Sequence, residues 1–215
     1  FSKKHGKLLF SSVAILGMGK LGSKEMMSTS DLDLVFIYTV QNRDTMSNGK
    51  HPLYPSHYFS RLFQRFINAL SAITPYGKLY DVDMRLRPSG NSGPIAINYE
   101  SFQRYHSELA WTWEHMALTK ARVIIGGNLL QKKIKYSLKN ILSQKRDCLS
   151  VAGEINQMRK RIYKNKFDSK NWYTTHIRGG ILDIEFIAQY LILIYYSGFP
   201  MILKNNTAQT LKEIV

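Results

Sequence analysis

The chain has 215 residues, a formal net charge of +15 and a hydrophobic fraction of 44%. This composition excludes an intrinsically disordered chain and allows one large domain or two small ones. The single cysteine, Cys148, excludes an internal disulfide and is typical of a reducing compartment. No signal peptide stands at the N-terminus, and the longest apolar run, near Ile187 to Tyr196, is too short to span a bilayer. The sequence therefore predicts a cytoplasmic protein without a membrane anchor.

The positive charge does not by itself identify a partner. The Lys and Arg residues, 30 in all, are spread along the chain, and no aromatic-plus-glycine signature of an RNA-binding domain is present. A nucleic-acid partner is therefore not favoured, whereas an anionic substrate or an acidic partner is compatible with the charge. The six histidines have no zinc-type spacing. Phe1 in place of an initiating Met suggests a piece of a longer protein.

The first predicted elements are two strands around a glycine-rich turn and an acidic pair. An apolar run, Val13 to Leu16, leads into the turn, and Asp31-Leu-Asp33 precedes a second apolar run that ends at Tyr38. Side chains alternate along a strand, so Asp31 and Asp33 are predicted to point the same way. Adjacent carboxylates repel unless a cation lies between them, and oxygen ligands favour Mg²⁺. The pair therefore predicts a magnesium site.

Three interpretations of this stretch compete. Gly17, Gly19 and Gly22 fit the G-x-G-x-x-G pattern of a dinucleotide fold, but that fold has its acid after the second strand, and here the acids precede it. In a nucleotidyltransferase core, a glycine turn grips a nucleoside triphosphate and a nearby Asp-x-Asp holds the metal. In the third interpretation, Ser30-Asp31 simply caps a turn. The nucleotidyltransferase interpretation is favoured.

An exposed loop, Thr39 to Pro55, and an amphipathic helix, Ser56 to Ala72, are expected next. The run from Leu79 to Pro88 alternates as a strand does, which places Asp81, Asp83 and two arginines on one face. Pairing of these acids with the arginines is one explanation. A third carboxylate facing Asp31 and Asp33 is the functional one, with Asp83 in that role and Asp81 assigned to a salt bridge with an arginine.

The remainder is predicted to be mainly helical. From Tyr99 to Ala117 apolar residues recur at helical spacing, with Trp113 in the core and Glu114 and Arg122 placed within reach of the cleft. Gly126-Gly127 marks a predicted boundary between a catalytic domain, 1–125, and a helical domain, 126–215. Three further helices are expected over Leu129 to Leu142, Val151 to Lys166 and Ile181 to Tyr196. A polar connection, Asn165 to Tyr173, is expected before the last of them. Asp183 and Glu185 near the last helix start are explained by the helix dipole.

Five blocks in order resemble one family. They are Gly17-Met-Gly-Lys-Leu-Gly22, Ser30-Asp-Leu-Asp-Leu34, Asp83-Met-Arg-Leu-Arg-Pro88, Trp113-Glu-His-Met-Ala-Leu118 with Lys120-Ala-Arg122, and Gly179-Gly-Ile-Leu-Asp-Ile-Glu-Phe186. The family is the bifunctional glutamine synthetase adenylyltransferase/adenylyl-removing enzymes, which are bacterial members of the DNA polymerase β-like nucleotidyltransferases. The resemblance extends over about Val13 to Tyr196.

The resemblance implies an α+β fold, with a polymerase β-like nucleotidyltransferase domain (a small mixed sheet with flanking helices) followed by part of an all-α domain that ends early. It implies ATP as substrate and Mg²⁺ held by the catalytic trio Asp31, Asp33 and Asp83. Nucleotide-binding roles are implied for the residues Gly17, Gly19, Lys20, Gly22, Ser30, Arg85 and Arg87. The implied partners are glutamine synthetase and, for the full-length enzyme, a nitrogen regulatory signalling protein.

Family members carry two similar catalytic halves. One removes AMP from glutamine synthetase by phosphorolysis, and the other attaches AMP from ATP to a tyrosine of the synthetase. Ser89-Gly90 and Trp111-Thr-Trp-Glu-His115 resemble the C-terminal, adenylylating half. The removing half, an RNA nucleotidyltransferase and a non-catalytic module that only binds glutamine synthetase or its signalling protein remain as alternatives.

Overall fold

The computed structural model describes residues 1–166 and 177–214, and they form a mixed α/β fold with a small mixed sheet and flanking helices, as predicted. The expected polar connection at Asn165 to Tyr173 falls largely outside the described residues. Within the described residues, no helix is long and apolar enough to cross a membrane.

The strands, in chain order, are β1 (Ser11–Gly17), β2 (Leu32–Val40), β3 (Ile73–Thr74), β4 (Gly77–Lys78), β5 (Val82–Asp83), β6 (Ala96–Asn98) and β7 (Arg122–Gly126). The helices are α1 (Ser2–His5), α2 (Gly19–Ser23), α3 (Pro55–Leu70), α4 (Tyr99–Glu108), α5 (Thr112–Leu118), α6 (Asn128–Leu142), α7 (Cys148–Lys166), α8 (Ile181–Tyr195) and α9 (Thr207–Lys212), with 3-10 turns at Gly90–Ser92 and Pro200–Ile202.

The chain divides into two compact units. The first unit contains Phe1–Leu109 and Ala121–Ser137, and the second contains Ala110–Lys120 and Leu138–Val215. The second unit includes α5 and every helix from α7 onward. The sequence-based division at residue 126 stays a prediction.

The sheet of the first unit is built around β2. Strand β1 pairs antiparallel with both β2 and β7, whereas β5 and β6 each run parallel to β2. Leu34 and Phe36 of β2 are buried in the main cluster. The intervening Val35 and Ile37 are also buried, so both faces of this strand are covered.

Helix α3 confirms the amphipathic helix predicted from its aromatic stripe. Its Phe63 ring stacks on Phe36 with centroids 4.2 Å apart, and its Phe59 ring stacks on Tyr38 at 4.5 Å. Burial of such rings contributes about 2 kcal/mol each. This layer fixes the direction of β2 and therefore the position of the acids at its start.

Two predicted elements are wrong in extent. The alternating run Leu79 to Pro88 forms only the two-residue strand β5, because the Asp83 carboxylate accepts the backbone N–H of Arg85 at 2.8 Å and turns the chain. The helical run from Tyr99 is two helices, α4 and α5, and it is followed by β7, which the sequence did not indicate. The helices predicted over Leu129 to Leu142, Val151 to Lys166 and Ile181 to Tyr196 are confirmed within a few residues.

Candidate active site

The pairing of β2 with β5 brings the acidic segments together. The two strands run parallel with Leu32 opposite Val82 and Asp33 opposite Asp83, and the backbone N–H of Leu32 donates to the carbonyl of Asp81 at 2.8 Å. Residues opposite each other in a sheet present their side chains on the same face. The register therefore places Asp33 and Asp83, which are 50 positions apart in the chain, side by side at the start of β2.

The Asp33 carboxyl carries the electrostatic strain of this arrangement. Burial, with the neighbouring carboxylates of Asp83 and Asp31, raises its pKa to about 6, although Arg85 and Lys20 oppose the shift. A carboxylate that is destabilised by burial and by like charge is stabilised by a cation placed beside it. The surroundings of Asp33 therefore favour a positive charge beside it.

Asp83 is paired with an arginine from its own turn. The Nε of Arg85 donates to Oδ1 of Asp83 at 3.1 Å and to Oδ2 at 2.8 Å, and Nη2 also donates to Oδ2. These hydrogen bonds hold the pKa of Asp83 below its usual range. The pairing of an acid with an arginine within this segment, one of the two predicted explanations, is therefore present at Asp83.

The glycine turn lies directly against the acids. Gly19 has φ of +48°, and a Cβ at this position would lie 2.3 Å from Oδ2 of Asp33. The backbone N–H of Met18 also donates to the carbonyl of Asp33 at 2.9 Å. Only glycine fits here, because the backbone has positive φ and the carboxylate occupies the place of a side chain.

The other two glycines of the turn have neighbours in the sheet and the helix. Gly17 ends β1, where a Cβ would lie 2.8 Å from the side chain of Ile124. Gly22 is buried in α2. Arg122 of β7 donates to the carbonyls of Leu21 and Gly22 at 2.7 and 3.0 Å, so it fixes the end of this helix.

The structure gives three further predicted nucleotide-binding residues distinct surroundings. Ser30 is buried, and its hydroxyl accepts the N–H of Met27 at 3.1 Å, which closes the turn before Asp31. Lys20 is exposed, and its ammonium acts on Asp33 electrostatically. Arg87 donates to three carbonyls of the loop after β5, those of Met84, Asn91 and Gly93.

Asp81 has a lysine partner, so its assignment to an arginine is wrong. The ammonium of Lys78 contacts Oδ1 of Asp81, and Lys78 precedes the acid by three residues. The turn between β4 and β5 brings these two side chains together, and the alternation that suggested an arginine partner does not extend through this segment. Asp81 lines the same cleft as Asp31, Asp83, Arg85 and Asn91.

In the second unit, the polar residues singled out from the sequence have structural roles. Glu114 is buried and caps α5, since its Oε2 accepts the N–H of Trp111 at 2.9 Å. Trp113 was expected in the core but is 37% exposed, because its neighbours Glu114 to Met116 take the buried face of this short helix. Asp183 pairs with Arg159, and Glu185 pairs with Lys120.

The donor chemistry of the cleft suits a hard divalent cation, because all the acidic ligands offer carboxylate oxygens. In residues 1–166 and 177–214, however, no three His, Cys, Asp or Glu side chains are close enough together to form a metal site. The hydrogen bonds from Arg85 to both oxygens of Asp83 occupy one of the three expected ligands. The residues present therefore fit the ion in type, with Asp83 engaged by an internal cation.

Sequence reasoning missed two features of the site. The Lys78–Asp81 pair has a local signal, opposite charges three residues apart, that the interpretation as a continuous strand concealed. The position of Asn91 beside the acids has no sequence signal, because it depends on the loop that Arg87 holds in place.

The small mixed sheet, the glycine turn and the acidic strand starts define the nucleotidyltransferase class of domain. A family model described as glutamate-ammonia ligase adenylyltransferase matches residues 3–137. The chain belongs to this family.

Curated relatives agree with this assignment. Proteins named bifunctional glutamine synthetase adenylyltransferase/adenylyl-removing enzyme are 42% identical in Bradyrhizobium sp. (strain ORS 278) and 44% identical in Xanthobacter autotrophicus, in each case over 98% of this chain and 21% of the relative. The protein of the same name from Brucella suis is 47% identical over 90% of this chain and 20% of the relative. The chain therefore spans about a fifth of the length of the curated relatives that it matches.

Proposed function

We propose that this chain binds ATP at the acidic cleft and transfers AMP to a tyrosine of glutamine synthetase. The observation that carries the proposal is the register of β2 with β5, which sets Asp33 opposite Asp83. The membership of the chain in the adenylyltransferase family supports the same reaction. Glutamine synthetase is named as the target in its relatives.

Asp31, Asp33 and Asp83 would hold Mg²⁺ in this proposal. The bound ions would offset the charge of the triphosphate and of the attacking tyrosine oxygen, whose unperturbed pKa is about 10. The carboxylates themselves orient the site, because β2 and β5 fix their spacing through backbone pairing and not through flexible loops. Preorganised charge of this kind is the main source of rate enhancement in phosphoryl transfer.

The reaction is an in-line substitution at the α-phosphorus of ATP. The tyrosine oxygen forms a bond with that phosphorus, the bond to the bridging oxygen of pyrophosphate breaks, and the phenol proton passes to solvent. Arg85 and Lys20 are the cations whose charge acts on Asp33, so they lie where they can offset the charge of the leaving pyrophosphate. Gly19 contributes by leaving room for the Asp33 carboxylate.

The proposal extends to the adenylylating half of the bifunctional enzyme. Its support is the sequence after Arg87, where Ser89-Gly90 and Trp111-Thr-Trp-Glu-His115 resemble that half. In the same proposal residues 1–125 are the catalytic domain and residues 126–215 begin a helical domain. A nitrogen regulatory signalling protein would act on the full-length enzyme.

The test is transfer of label to glutamine synthetase. The chain is incubated with unmodified glutamine synthetase, Mg²⁺ and ATP labelled at the α-phosphate, and label on the synthetase is measured. Asp33→Asn is expected to reduce the rate by a factor of at least about 100, because it removes a ligand for the cation. Asp44→Asn, which changes an exposed acid in the loop after β2, is the matched control and keeps the activity.

Two outcomes would contradict the proposal. Equal labelling by wild type and Asp33→Asn would exclude the metal assignment while leaving the family membership intact. Release of ADP from adenylylated synthetase in the presence of phosphate, without labelling in the forward assay, would assign the chain to the removing half.

A further inference from the structure

The two arginines that follow Asp83 are held in different ways. The guanidinium of Arg87 donates to the carbonyls of Met84, Asn91 and Gly93, so the loop after β5 fixes it. The side chain of Arg85 is 73% exposed. Among the residues that the structure describes, Asp83 accepts every hydrogen bond recorded for the Arg85 side chain. Arg85 can therefore leave Asp83 without breaking any other recorded bond.

Asp83 is the less exposed partner, and Arg85 covers it well. The Asp83 side chain is 15% exposed, and its two oxygens accept the guanidinium in a fork geometry. The lone pairs of such a carboxylate already accept hydrogen bonds from the arginine. A metal cation that binds the same oxygens must therefore first displace the arginine. An ion pair whose cation is exposed contributes only about 0 to 1 kcal/mol, so displacing it costs little.

We infer that Arg85 is an internal counter-ion that occupies Asp83 until a divalent cation replaces it, and that the released guanidinium then binds the phosphates of the nucleotide. This inference rests on the proposed function, because it assumes that the acidic cleft binds a metal-nucleotide complex. Arg85 is a positioning residue in the apo protein and a phosphate ligand once the cation is bound. The positive charge of Arg85 thus offsets the Asp83 carboxylate before the cation binds and the nucleotide phosphates afterwards.

The exchange makes two predictions of opposite sign for one substitution. If Arg85 stabilises its pair with Asp83 by about 1 kcal/mol, the pair lowers the apparent affinity for a divalent cation about fivefold, since only the uncovered fraction of the protein binds the ion. Arg85→Ala should therefore raise the affinity for Mn²⁺ alone by about fivefold. The same variant should weaken binding of ATP in the presence of Mn²⁺ by about tenfold, because a charge-assisted phosphate contact is lost.

Removal of any positive charge near a cation site also raises metal affinity, so the test needs a charge-matched control. Lys78→Gln removes a cation that pairs with Asp81, which is another acid of the same cleft. In our inference its Mn²⁺ affinity stays within about twofold of wild type, since Asp83 remains covered. Arg85→Lys keeps the charge but not the fork, so it is expected to bind Mn²⁺ more tightly than wild type.

The experiment is a titration of the chain with Mn²⁺ alone, followed by the electron paramagnetic resonance signal of the free ion, and then with ATP present. Tighter Mn²⁺ binding by Arg85→Ala and Arg85→Lys, but not by Lys78→Gln, is the expected result. Equal affinities for wild type and Arg85→Ala, or an equal gain in Lys78→Gln, would overturn the inference and leave the proposed function standing. If wild type and Arg85→Ala both bound no Mn²⁺ even with ATP, the proposed function and the inference would fail together.

Discussion

The chain contains the pattern acid–apolar–acid in three places, and two of these copies, one on a strand and one on a helix, have opposite electrostatic surroundings. Asp31-Leu-Asp33 lies at the start of strand β2, and Asp183-Ile-Glu185 lies in the first turns of helix α8. On the strand, the pKa of Asp33 is raised to about 6 by burial and by Asp83 and Asp31. On the helix, the pKa of Asp183 is lowered by its hydrogen bonds to Arg159 and by the N–H of Gly179.

The difference follows from the geometry of the backbone. Residues two apart point the same way on a strand, but they lie on nearly opposite sides of a helix. The helical acids therefore have separate partners, Arg159 for Asp183 and Lys120 for Glu185. The strand acids lie beside a third carboxylate, Asp83, and although Arg85 pairs with Asp83, the pKa of Asp33 stays raised. The same residue types thus form separate ion pairs in one unit and lie next to another carboxylate in the other.

Among the tests of this difference between the strand acids and the helix acids, Glu185→Gln is expected to have the largest effect. The Lys120 ammonium lies 2.9 Å from Oε1 of Glu185, and the two side chains are 8% and 25% exposed. Removing the carboxylate breaks this ion pair of a largely buried lysine, which should lower the free energy of unfolding by about 2 to 4 kcal/mol. Urea unfolding at neutral pH measures this loss.

The control for this prediction is Glu213→Gln. Its pair with Lys204 has side chains that are 33% and 30% exposed, so its loss should cost less than about 1 kcal/mol. Equal costs for Glu185→Gln and Glu213→Gln would mean that burial does not distinguish the two pairs, and the structural role assigned to Glu185 would be wrong.

The sequence predicts the surroundings of each acidic pair only where the contacting residues are close by in the chain. The helix α3 and the strand β2 were predicted because their apolar residues recur with a strong periodicity and include the aromatic side chains that pack between them. The strand β7 was missed because five residues of weak alternation give little signal. The partners of Asp183 and Glu185 lie 24 and 65 positions away, and nothing in the spacing of the residues identifies them.

The candidate site shows the same limit. The proximity of Asp31 to Asp33 is a local consequence of strand alternation, and the structure has β2 where it was expected. That Asp83 faces Asp31 and Asp33 was one of two explanations drawn from the alternation of Leu79 to Pro88, and its register against Asp33 depends on a parallel pairing only two residues long. The roles of the site residues in binding metal and nucleotide remain predictions, because they depend on ligands that the sequence does not contain.

Gly19→Ala tests whether the position of the Asp33 carboxylate at the start of β2 depends on the glycine turn. The added Cβ would lie 2.3 Å from Oδ2 of Asp33, and the backbone φ of +48° is strained for alanine. The expected loss is about 2 kcal/mol of stability, from strain and from displacement of the carboxylate. Thermal unfolding measures the loss, and Mn²⁺ titration shows whether the displaced carboxylate weakens cation binding.

A glycine beside the helix acids, Gly179, is the matched control for Gly19. Gly179 has φ of +75°, its N–H donates to Asp183, and a Cβ there would meet nothing within 4 Å. Gly179→Ala should therefore cost about 1 kcal/mol from backbone strain alone and leave Mn²⁺ binding unchanged. If both variants lost the same stability and bound Mn²⁺ equally, the contact between Gly19 and Asp33 would have no role in the cleft.

The smallest expected effect is a pH dependence of opposite sign in the two copies, measured without divalent cations. The folded-state pKa of Asp33, about 6, lies above its unfolded value of 3.8. The folded state therefore binds the proton more tightly, and the stability that this binding contributes is lost as the pH rises from about 4 to about 6. Because the side chain is partly exposed, the loss is expected to be about 1 to 2 kcal/mol. Asp33→Asn should remove it, so that this variant is more stable than wild type at pH 7 and equal to it at pH 4.

Asp183 should behave in the opposite way. Its folded-state pKa is below the unfolded value, so its contribution is present above pH 3.8 and is lost as the pH falls through the lower, folded value. Asp183→Asn should therefore be less stable than wild type at pH 7, and the difference should shrink in acid. Denaturant unfolding of both variants across this pH range measures the two trends together. If Asp33→Asn were also destabilising at pH 7, the acids at the start of β2 would be neutralised within the protein, and the reason for placing a cation between them would disappear.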